Sequence, residues 1–321
     1  MQSFFVDKMG LTPIIKLMKI KNINIKGNLV LAPMAGYSDV GLRSLAVKYG
    51  AAYGVTEMVS ARALNMGSAK TIKLLETAEN EQVKVVQLFG HDPADFAYAV
   101  KMPELGKFDI IDINMGCPVS KIVKNNEGSS LMKNPELARQ IIRACVENTN
   151  KPISVKFRRG YSTETCVEFA KMCEEAGASL ITIHARFASE GYSGVSSLEA
   201  ARKVKQAVKI PVCYSGDIVD EESLKQAALQ TGCDLFMVGR AAMGNPSIFA
   251  KLKGEPVKTP TQLELMREHI NINISFGVFN GVAFRAQASR YVKPLNNARA
   301  LREKIFVAKT ADDYFKIISE A

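Results

Sequence analysis

The stretch IIDINMGCPVSK, residues 110–121, has the pattern of an apolar strand that ends in an abrupt turn. Gly116 relaxes the backbone and Pro118 has no N–H, so the strand must stop there and the chain must turn outward. Cys117 lies between these two residues. We therefore expect its thiol on the rim of the fold and not in its core.

Similar apolar or β-branched runs recur along the chain, and helix-period segments follow them. The eight runs are NLVLAPM, AYGVTEM, KVVQLFG, DIIDINM, PISVKFR, SLITIHA, IPVCYSG and CDLFMVG. Strand–helix alternation repeated eight times predicts an α/β fold, a (β/α)8 TIM barrel. A doubly wound sheet is the competing fold, but it usually carries Gly-x-Gly-x-x-Gly after its first strand, and LAPMAGYSD has no such turn.

The two ends of the chain depart from this repeat. KIKNINIKG, residues 19–27, alternates like a small hairpin and could plug the barrel floor. KGEPVKTPTQ, residues 253–262, is a proline-rich connector, after which the pattern is helical with interruptions at Gly277 and Gly281. We expect a barrel domain over residues 1–250 and a small C-terminal helical domain over residues 258–321.

Composition limits the class of protein. The chain has 321 residues, of which 47% are hydrophobic, as a globular protein of this size requires. No apolar run approaches about 20 residues, and charged residues interrupt the amino-terminal segment, so we expect neither a membrane span nor a signal peptide and a cytoplasmic location. Six cysteines without a Cys-x-x-Cys pair, and only three histidines, favour neither disulfides nor a metal site.

The charge balance points to a polyanionic partner. There are 42 basic and 32 acidic residues, which give a net charge of +10 and favour nucleic acid over a merely soluble basic protein. The tail from residue 257 onward holds ten basic and six acidic residues. Arg290 with Lys293, and Arg299 with Arg302, are spaced to share a helix face.

Polar residues collect where the predicted strands end, which is where TIM barrels carry their active sites. They are Glu57, Gln87, Asn114, Cys117, Lys156, Arg158, His184, Arg186, Ser215, Gly216, Asp217, Gly239 and Arg240. Gln87 or His184 alone would more often be a satisfied buried polar group, but so many on one rim favour a binding site. The glycine turns of SGDI and GRAAMGNP suit a phosphate, and Lys156 with Arg158 beside a thiol suits an electron-rich ring.

These motifs together resemble the tRNA-dihydrouridine synthase family. LAPMAGYSD, TEMVSA, VVQLFG, DINMGCPV, SVKFRRG, TIHAR, SGDI and VGRAAMGNP carry the resemblance across the whole barrel, in order. It implies bound FMN, reduction of selected tRNA uridines to 5,6-dihydrouridine with electrons from NADPH or NADH, and a tRNA-binding tail. We expect a monomer, without metal.

The resemblance also implies roles for particular residues. The expected FMN ligands are Pro33, Met34, Ala35, Gln87, Lys156, His184, Ser215, Gly216, Asp217, Gly239 and Arg240. Asn114, Arg158 and Arg186 would contact the flipped uracil, and Cys117 would be the catalytic acid. Three features differ from the family pattern: Ser215 replaces a frequent asparagine, Ala185 a common glycine, and KNNEGSSLM a loop richer in glycine and alanine.

A thiol suits the proton transfer in this reaction. Once hydride reaches C6 of uracil, C5 needs a proton, and a thiol with a pKa of about 8.5 is largely protonated at neutral pH. The other five cysteines are assigned to packing.

Two alternatives for the function stay open: a small-molecule FMN barrel like dihydroorotate or dihydropyrimidine dehydrogenase, and a non-enzymatic RNA-binding protein. The first leaves the tail and the charge unexplained, and the intact set of Cys117, Lys156 and Arg240 argues against the second.

Overall fold

The computed structural model describes residues 17–254 and 260–321. The strands are β1 Leu17–Ile20, β2 Ile23–Lys26, β3 Leu29–Leu31, β4 Tyr53–Ser60, β5 Val85–Phe89, β6 Ile110–Met115, β7 Ile153–Gly160, β8 Leu180–Phe187, β9 Val212–Ser215 and β10 Leu235–Val238. The helices up to residue 252 are α1 Val40–Lys48, α2 Ala61–Asn65, α3 Ala69–Ile72, α4 Pro93–Ala99, α5 Ser120–Lys124, α6 Pro135–Asn148, α7 Cys166–Glu175, α8 Leu198–Ala207, α9 Glu221–Thr231 and α10 Ile248–Leu252. Four more follow: α11 Gln262–Ser275, α12 Gly281–Tyr291, α13 Ala298–Val307 and α14 Ala311–Ser319.

Strands β3 to β10 form a closed parallel barrel in chain order, with β10 pairing back to β3. Each of the eight predicted strands is present, so the TIM-barrel prediction is confirmed. The carboxyl ends of parallel strands share one edge, so the residues that follow all eight strands meet at one mouth.

Alternate side chains along each barrel strand face the barrel interior or the surrounding helices. In β6, Ile111 and Ile113 pack in the outer cluster with the helices, whereas Ile110 belongs to the inner cluster. The amino-terminal hairpin of β1 and β2 adds Ile20 and Ile25, both fully buried, to that inner cluster. The floor plug predicted from KIKNINIKG is therefore confirmed.

The C-terminal region is helical, as predicted. Gly277, with φ of +63°, lies in the break between α11 and α12, as predicted, whereas Gly281 is the first residue of α12 and makes no second break. Arg299 and Arg302 share α13, but the pairing of Arg290 with Lys293 on one helix is wrong, because α12 ends at Tyr291. Pro294 disfavours helical backbone at the residue before it.

The tail packs directly on the barrel. Leu265 and Ile270 of α11 lie in the same buried cluster as Leu42 and Leu45 of α1. The connector predicted at 253–262 falls partly outside the described residues, and the domain boundary stays a prediction. No helix within 17–254 or 260–321 has both the length and the apolar character needed to cross a bilayer.

Candidate active site

The strand register brings the predicted site residues into neighbouring positions at the barrel mouth. Asn114 of β6 pairs with Lys156 of β7, and Arg158 pairs with His184 of β8, which in turn pairs with Ser215 of β9. All of these positions face the barrel interior by strand alternation. These polar residues therefore lie on adjacent strands of one rim, as their order in the sequence predicted.

Cys117 is half-buried in the loop after β6, and hydrogen bonds fix its backbone. The Gly116 and Cys117 N–H groups both donate to Asn114 Oδ1, at 3.1 and 3.0 Å, and Ser129 N–H donates to the Cys117 carbonyl at 2.9 Å. Burial raises the pKa of the thiol, although the Val119 N–H and the Arg158 charge oppose this shift. Cys117 is therefore a protonated thiol at neutral pH and can donate a proton.

Gly128 determines how closely the loop after Cys117 can approach it. Its φ is +60°, and a Cβ there would lie 2.7 Å from the Cys117 carbonyl oxygen and 3.0 Å from the Cys117 Cβ. Only glycine fits this contact without displacing the loop. Gly128 lies in KNNEGSSLM, the loop that differs from the family pattern, but it was not among the predicted site residues.

A chain of side-chain hydrogen bonds runs from Asn114 into the barrel. Asn114 Nδ2 donates to Gln87 Oε1 at 2.8 Å, and Gln87 Nε2 donates to Asp112 Oδ2 at 2.6 Å. Ser154 Oγ donates to Asp112 Oδ1 at 2.5 Å. Because the Asp112 carboxylate can only accept, it fixes which way both amides point.

Asp112 was not among the predicted site residues. Burial raises its pKa, and the hydrogen bonds from Ser154 and Gln87 oppose that rise. Its position between two isoleucines of β6 was the available signal, because a buried carboxylate is costly unless partners compensate for the lost hydration.

Lys156 lies in the mouth as a cation. Burial, followed by repulsion from Arg158, lowers its pKa to about 8, so it is mostly protonated at neutral pH. Among the residues that the structure describes, its ammonium makes no hydrogen bond or close ion pair. An ammonium in this state can bind an electron-rich or anionic ligand atom.

Arg158 links the cysteine loop to the segment after β8. Its Nε donates to the Gly116 carbonyl at 2.8 Å, and its Nη1 donates to the carbonyls of Phe187 and Gly191 at 3.0 and 2.7 Å. Within the described part of the chain, only Nη2 of this guanidinium is left for a ligand. The expected uracil contact stays a prediction, and the observed contacts stabilise the rim.

A second arginine network surrounds the proposed phosphate turns. Arg186 is 2% exposed and bonds to the Ser193 and Gly194 carbonyls and to the carboxylate of Asp217, so its expected uracil contact also stays a prediction. Arg240, which is half-exposed, reaches the other oxygen of Asp217 at 2.9 Å. Burial and Lys156 lower the pKa of His184 to about 2, so its neutral ring can accept a hydrogen bond from Arg186, 3.3 Å away.

The segment after the first barrel strand, β3, forms a tight turn next to the end of β10. Tyr37 and Ser38 N–H both donate to the Met34 carbonyl at 2.9 Å, and Gly36 N–H donates to Glu57 Oε2 at 2.5 Å. A Cβ on Gly239 would lie 3.8 Å from Met34 Sδ, so the first and last strands meet here. Pro33, Met34 and Ala35 thus border the same mouth as Gly239 and Arg240.

Comparison with known proteins identifies the family. The pattern of the family described as "Dihydrouridine synthase (Dus)" matches residues 30–320. A probable tRNA-dihydrouridine synthase of Rickettsia conorii is 34% identical over 319 residues, which cover 90% of this chain and 95% of that protein. The tRNA-dihydrouridine synthase B of Vibrio cholerae is 33% identical over 307 residues, which cover 92% and 95%.

Solved structures of lower identity share the fold. A 2-naphthoyl-CoA reductase complex has a TM-score of 0.60 at 14% identity and covers 76% of this chain and 52% of its own. Histamine dehydrogenase from Rhizobium sp. 4-9 has a TM-score of 0.58 at 12% identity, with coverage of 86% and 51%. The family match extends over the barrel and the helical tail alike, and on that evidence the chain belongs to the dihydrouridine synthase family.

Proposed function

We propose that this protein is an FMN-dependent enzyme that reduces the C5=C6 bond of selected uridines in tRNA to 5,6-dihydrouridine. The observation that carries the proposal is the half-buried Cys117, whose raised pKa keeps it a thiol, at the mouth of a barrel beside Lys156. The names of the relatives, which are tRNA-dihydrouridine synthases, supply the substrate class.

The residues of the mouth fit FMN. Lys156 offers the electron-rich edge of the ring an ammonium that has no close partner within residues 17–254 and 260–321, and Arg240 is exposed enough to exchange Asp217 for a phosphate. Gly216 and Gly239 follow the neighbouring strands β9 and β10, and glycine turns at these strand ends suit a phosphate. We assign Pro33, Met34, Ala35, Gln87, His184, Ser215 and Asp217 to the same cofactor site.

When bound and reduced, FMN would supply the hydride that C6 of the uracil accepts. The protein must then deliver a proton to C5, and Cys117 Sγ–H is the group that can do so. Asn114 holds the Cys117 loop because its Oδ1 accepts the N–H groups of Gly116 and Cys117, and Arg158 bonds to the Gly116 carbonyl. We assign the contact with the uracil to Asn114, Arg158 Nη2 and Arg186.

The tail is the proposed tRNA-binding surface. It concentrates basic side chains, and Arg299 and Arg302 project from α13. The uridine must leave its stack to enter a barrel mouth, at a cost of a few kcal/mol that binding along the phosphate backbone can offset. We further propose NADPH or NADH as the reductant, a monomeric state and a cytoplasmic location.

The proposal is tested by the oxidant that the reduced protein accepts. Protein loaded with FMN is reduced anaerobically and mixed either with tRNA from a strain lacking this gene or with free uridine, while flavin absorbance is followed. We expect rapid reoxidation by tRNA and negligible reoxidation by uridine. Equal reoxidation by both would favour the small-molecule oxidoreductase, and no flavin binding at all would overturn the enzyme assignment.

A further inference from the structure

One carboxylate at the barrel mouth is bound by three side chains of the tail. Asp39 Oδ1 accepts from His269 Nε2 at 2.7 Å, and Oδ2 accepts from Asn273 Nδ2 and Gln287 Nε2, both at 2.9 Å. Asn273 also accepts the Gly41 N–H at 3.0 Å through its Oδ1. Two helices of the tail, α11 and α12, thus converge on the first residues of α1.

These three tail residues are buried polar groups, and each of them bonds to Asp39. His269 is 1% exposed, Asn273 3% and Gln287 7%. Burying polar side chains between helices costs desolvation free energy that hydrogen-bond partners must offset. Apolar residues would hold the helices together at a lower free-energy cost. A contact of this kind fixes direction and register more than it adds stability.

Asp39 is directly connected to the segment that borders the proposed FMN site. It is the N-cap of α1, where Oδ1 also accepts the Leu42 N–H at 2.9 Å. The preceding residue, Ser38, donates its N–H to the Met34 carbonyl and accepts the Met34 N–H through its hydroxyl at 2.9 Å. Only these short bonded links separate the tail from Met34.

We propose that Asp39 is a positioning residue that sets the orientation of the tail relative to the barrel mouth, so that tRNA held by the tail presents its uridine to Cys117. This inference rests on the proposed function. Asp39 does not touch the substrate or the flavin. It acts through His269, Asn273 and Gln287, and its loss should misplace the tRNA without disturbing the flavin.

The substitution Asp39→Asn separates this role from the helix cap. Asparagine caps a helix as well as aspartate does, so α1 should keep its start. Its amide nitrogen, however, would face the amide donor of Asn273, and Asn273 cannot turn around because its oxygen holds the Gly41 N–H. The junction therefore loses its register while the local helix is retained.

A matched control breaks another contact between the same two helices. Lys48 of α1 pairs with Glu268 of α11 at 2.5 Å on the exposed side of the interface, so Lys48→Gln weakens the same packing away from Asp39. Such an exposed pair contributes little, and we expect changes within about twofold. The exchange Asp39→Asn with Asn273→Asp returns the carboxylate to the junction and should restore its hydrogen bonds.

The experiment measures kcat/KM for tRNA, flavin content, and reoxidation of the reduced flavin by dioxygen, which is too small to need the tail. Asp39→Asn should lower kcat/KM for tRNA about tenfold or more, because displacing the uridine by about 1 Å from its reactive position slows the reaction strongly. The two flavin measurements should stay at parent values. The exchanged pair should recover most of the loss. Should Asp39→Asn fail to fold, Gln287→Met, which removes one donor to Asp39, is measured instead and should lower kcat/KM in the same direction.

Three outcomes would overturn the inference: parent kcat/KM in the variant, a parallel loss of flavin, or a loss that the exchanged pair does not restore. A parent protein that never reduces tRNA would instead overturn the proposed function. The two failures are therefore distinguishable.

Discussion

At the scale of single residues, Cys117 is the one cysteine that the fold does not use for packing. The other five, at positions 145, 166, 173, 213 and 233, are buried, as the sequence predicted. We expect Cys117→Ala to bind FMN and tRNA normally but to form dihydrouridine about 10²–10⁴-fold more slowly, the usual range for a positioned acid. Product is measured by mass spectrometry of the tRNA. Cys233→Ala is the control and should react at the parent rate, and a parent rate in Cys117→Ala would remove the thiol from the mechanism.

Lys156 should make FMN binding dependent on pH. Its pKa is lowered to about 8, so the side chain is a cation below that pH and loses its charge as the pH rises through it. We expect FMN affinity to fall by up to about tenfold between pH 7 and pH 9. Fluorescence titration of flavin-free protein measures this. Lys156→Met should bind more weakly at pH 7 and show a flat profile, whereas a flat profile in the parent protein would contradict the assignment.

The position of a site residue could be predicted where its neighbours in the sequence determine the local backbone. Cys117 follows from Gly116 and Pro118, which end the strand at that point. The orientation of the Gln87 and Asn114 side-chain amides could not be predicted from the sequence. It depends on Asp112, and the hydrogen bonds that join these three side chains cross between strands. Similarly, the sequence placed Arg186 on the rim but could not indicate that Asp217 would occupy it.

At the scale of elements, the loop after β6 depends on Gly128. Gly128→Ala adds a methyl group 2.7 Å from the Cys117 carbonyl oxygen and places alanine at a positive φ, at a backbone cost of about 1–2 kcal/mol. We expect slower uridine reduction with normal flavin content. Gly277→Ala is the matched control, since its φ is also positive at +63° but its Cβ would meet nothing within 4 Å.

Comparing these two variants separates strain from displacement. Both should lower the thermal midpoint through strain at a positive φ, and Gly128→Ala should lower it further because its methyl group also meets the Cys117 carbonyl, but only Gly128→Ala should slow turnover. If Gly277→Ala slowed it equally, general destabilisation would explain both results and Gly128 would have no special role at Cys117.

All eight barrel strands could be predicted because each carries its own apolar run. The end of α12 was predicted less well, since the spacing of Arg290 and Lys293 suggests a helix face that the chain does not form beyond Tyr291. Charge spacing is weak evidence for a helix when a proline follows so closely.

At the scale of the whole molecule, the basic tail should govern tRNA affinity. Reversing Arg299 and Arg302, which share α13, should raise the Michaelis constant for tRNA more than it lowers the maximal rate. The salt dependence of binding should also flatten, by a slope of about 0.7 for each single-strand-like phosphate that the variant no longer binds. Reversing Lys171 and Lys225, on α7 and α9 of the barrel, changes the net charge equally and is the control. An equal effect from both pairs would show that net charge alone matters.

How the tail is attached to the barrel could not be predicted from the sequence. Asp39 and Asn273 are separated by more than 200 residues, and nothing in the local pattern of either indicates the other. Composition and helical period predict that the tail is helical, but they do not indicate which part of the barrel it packs against.

The most direct test of the account is the product itself. Purified protein with FMN and NADPH is incubated with tRNA from a strain lacking this gene, and the tRNA is digested and analysed by mass spectrometry. We expect one or a few defined uridines to gain two hydrogen atoms, and Cys117→Ala to abolish most of this gain. Loaded, flavin-reducible protein that leaves every uridine of that tRNA unchanged would contradict it.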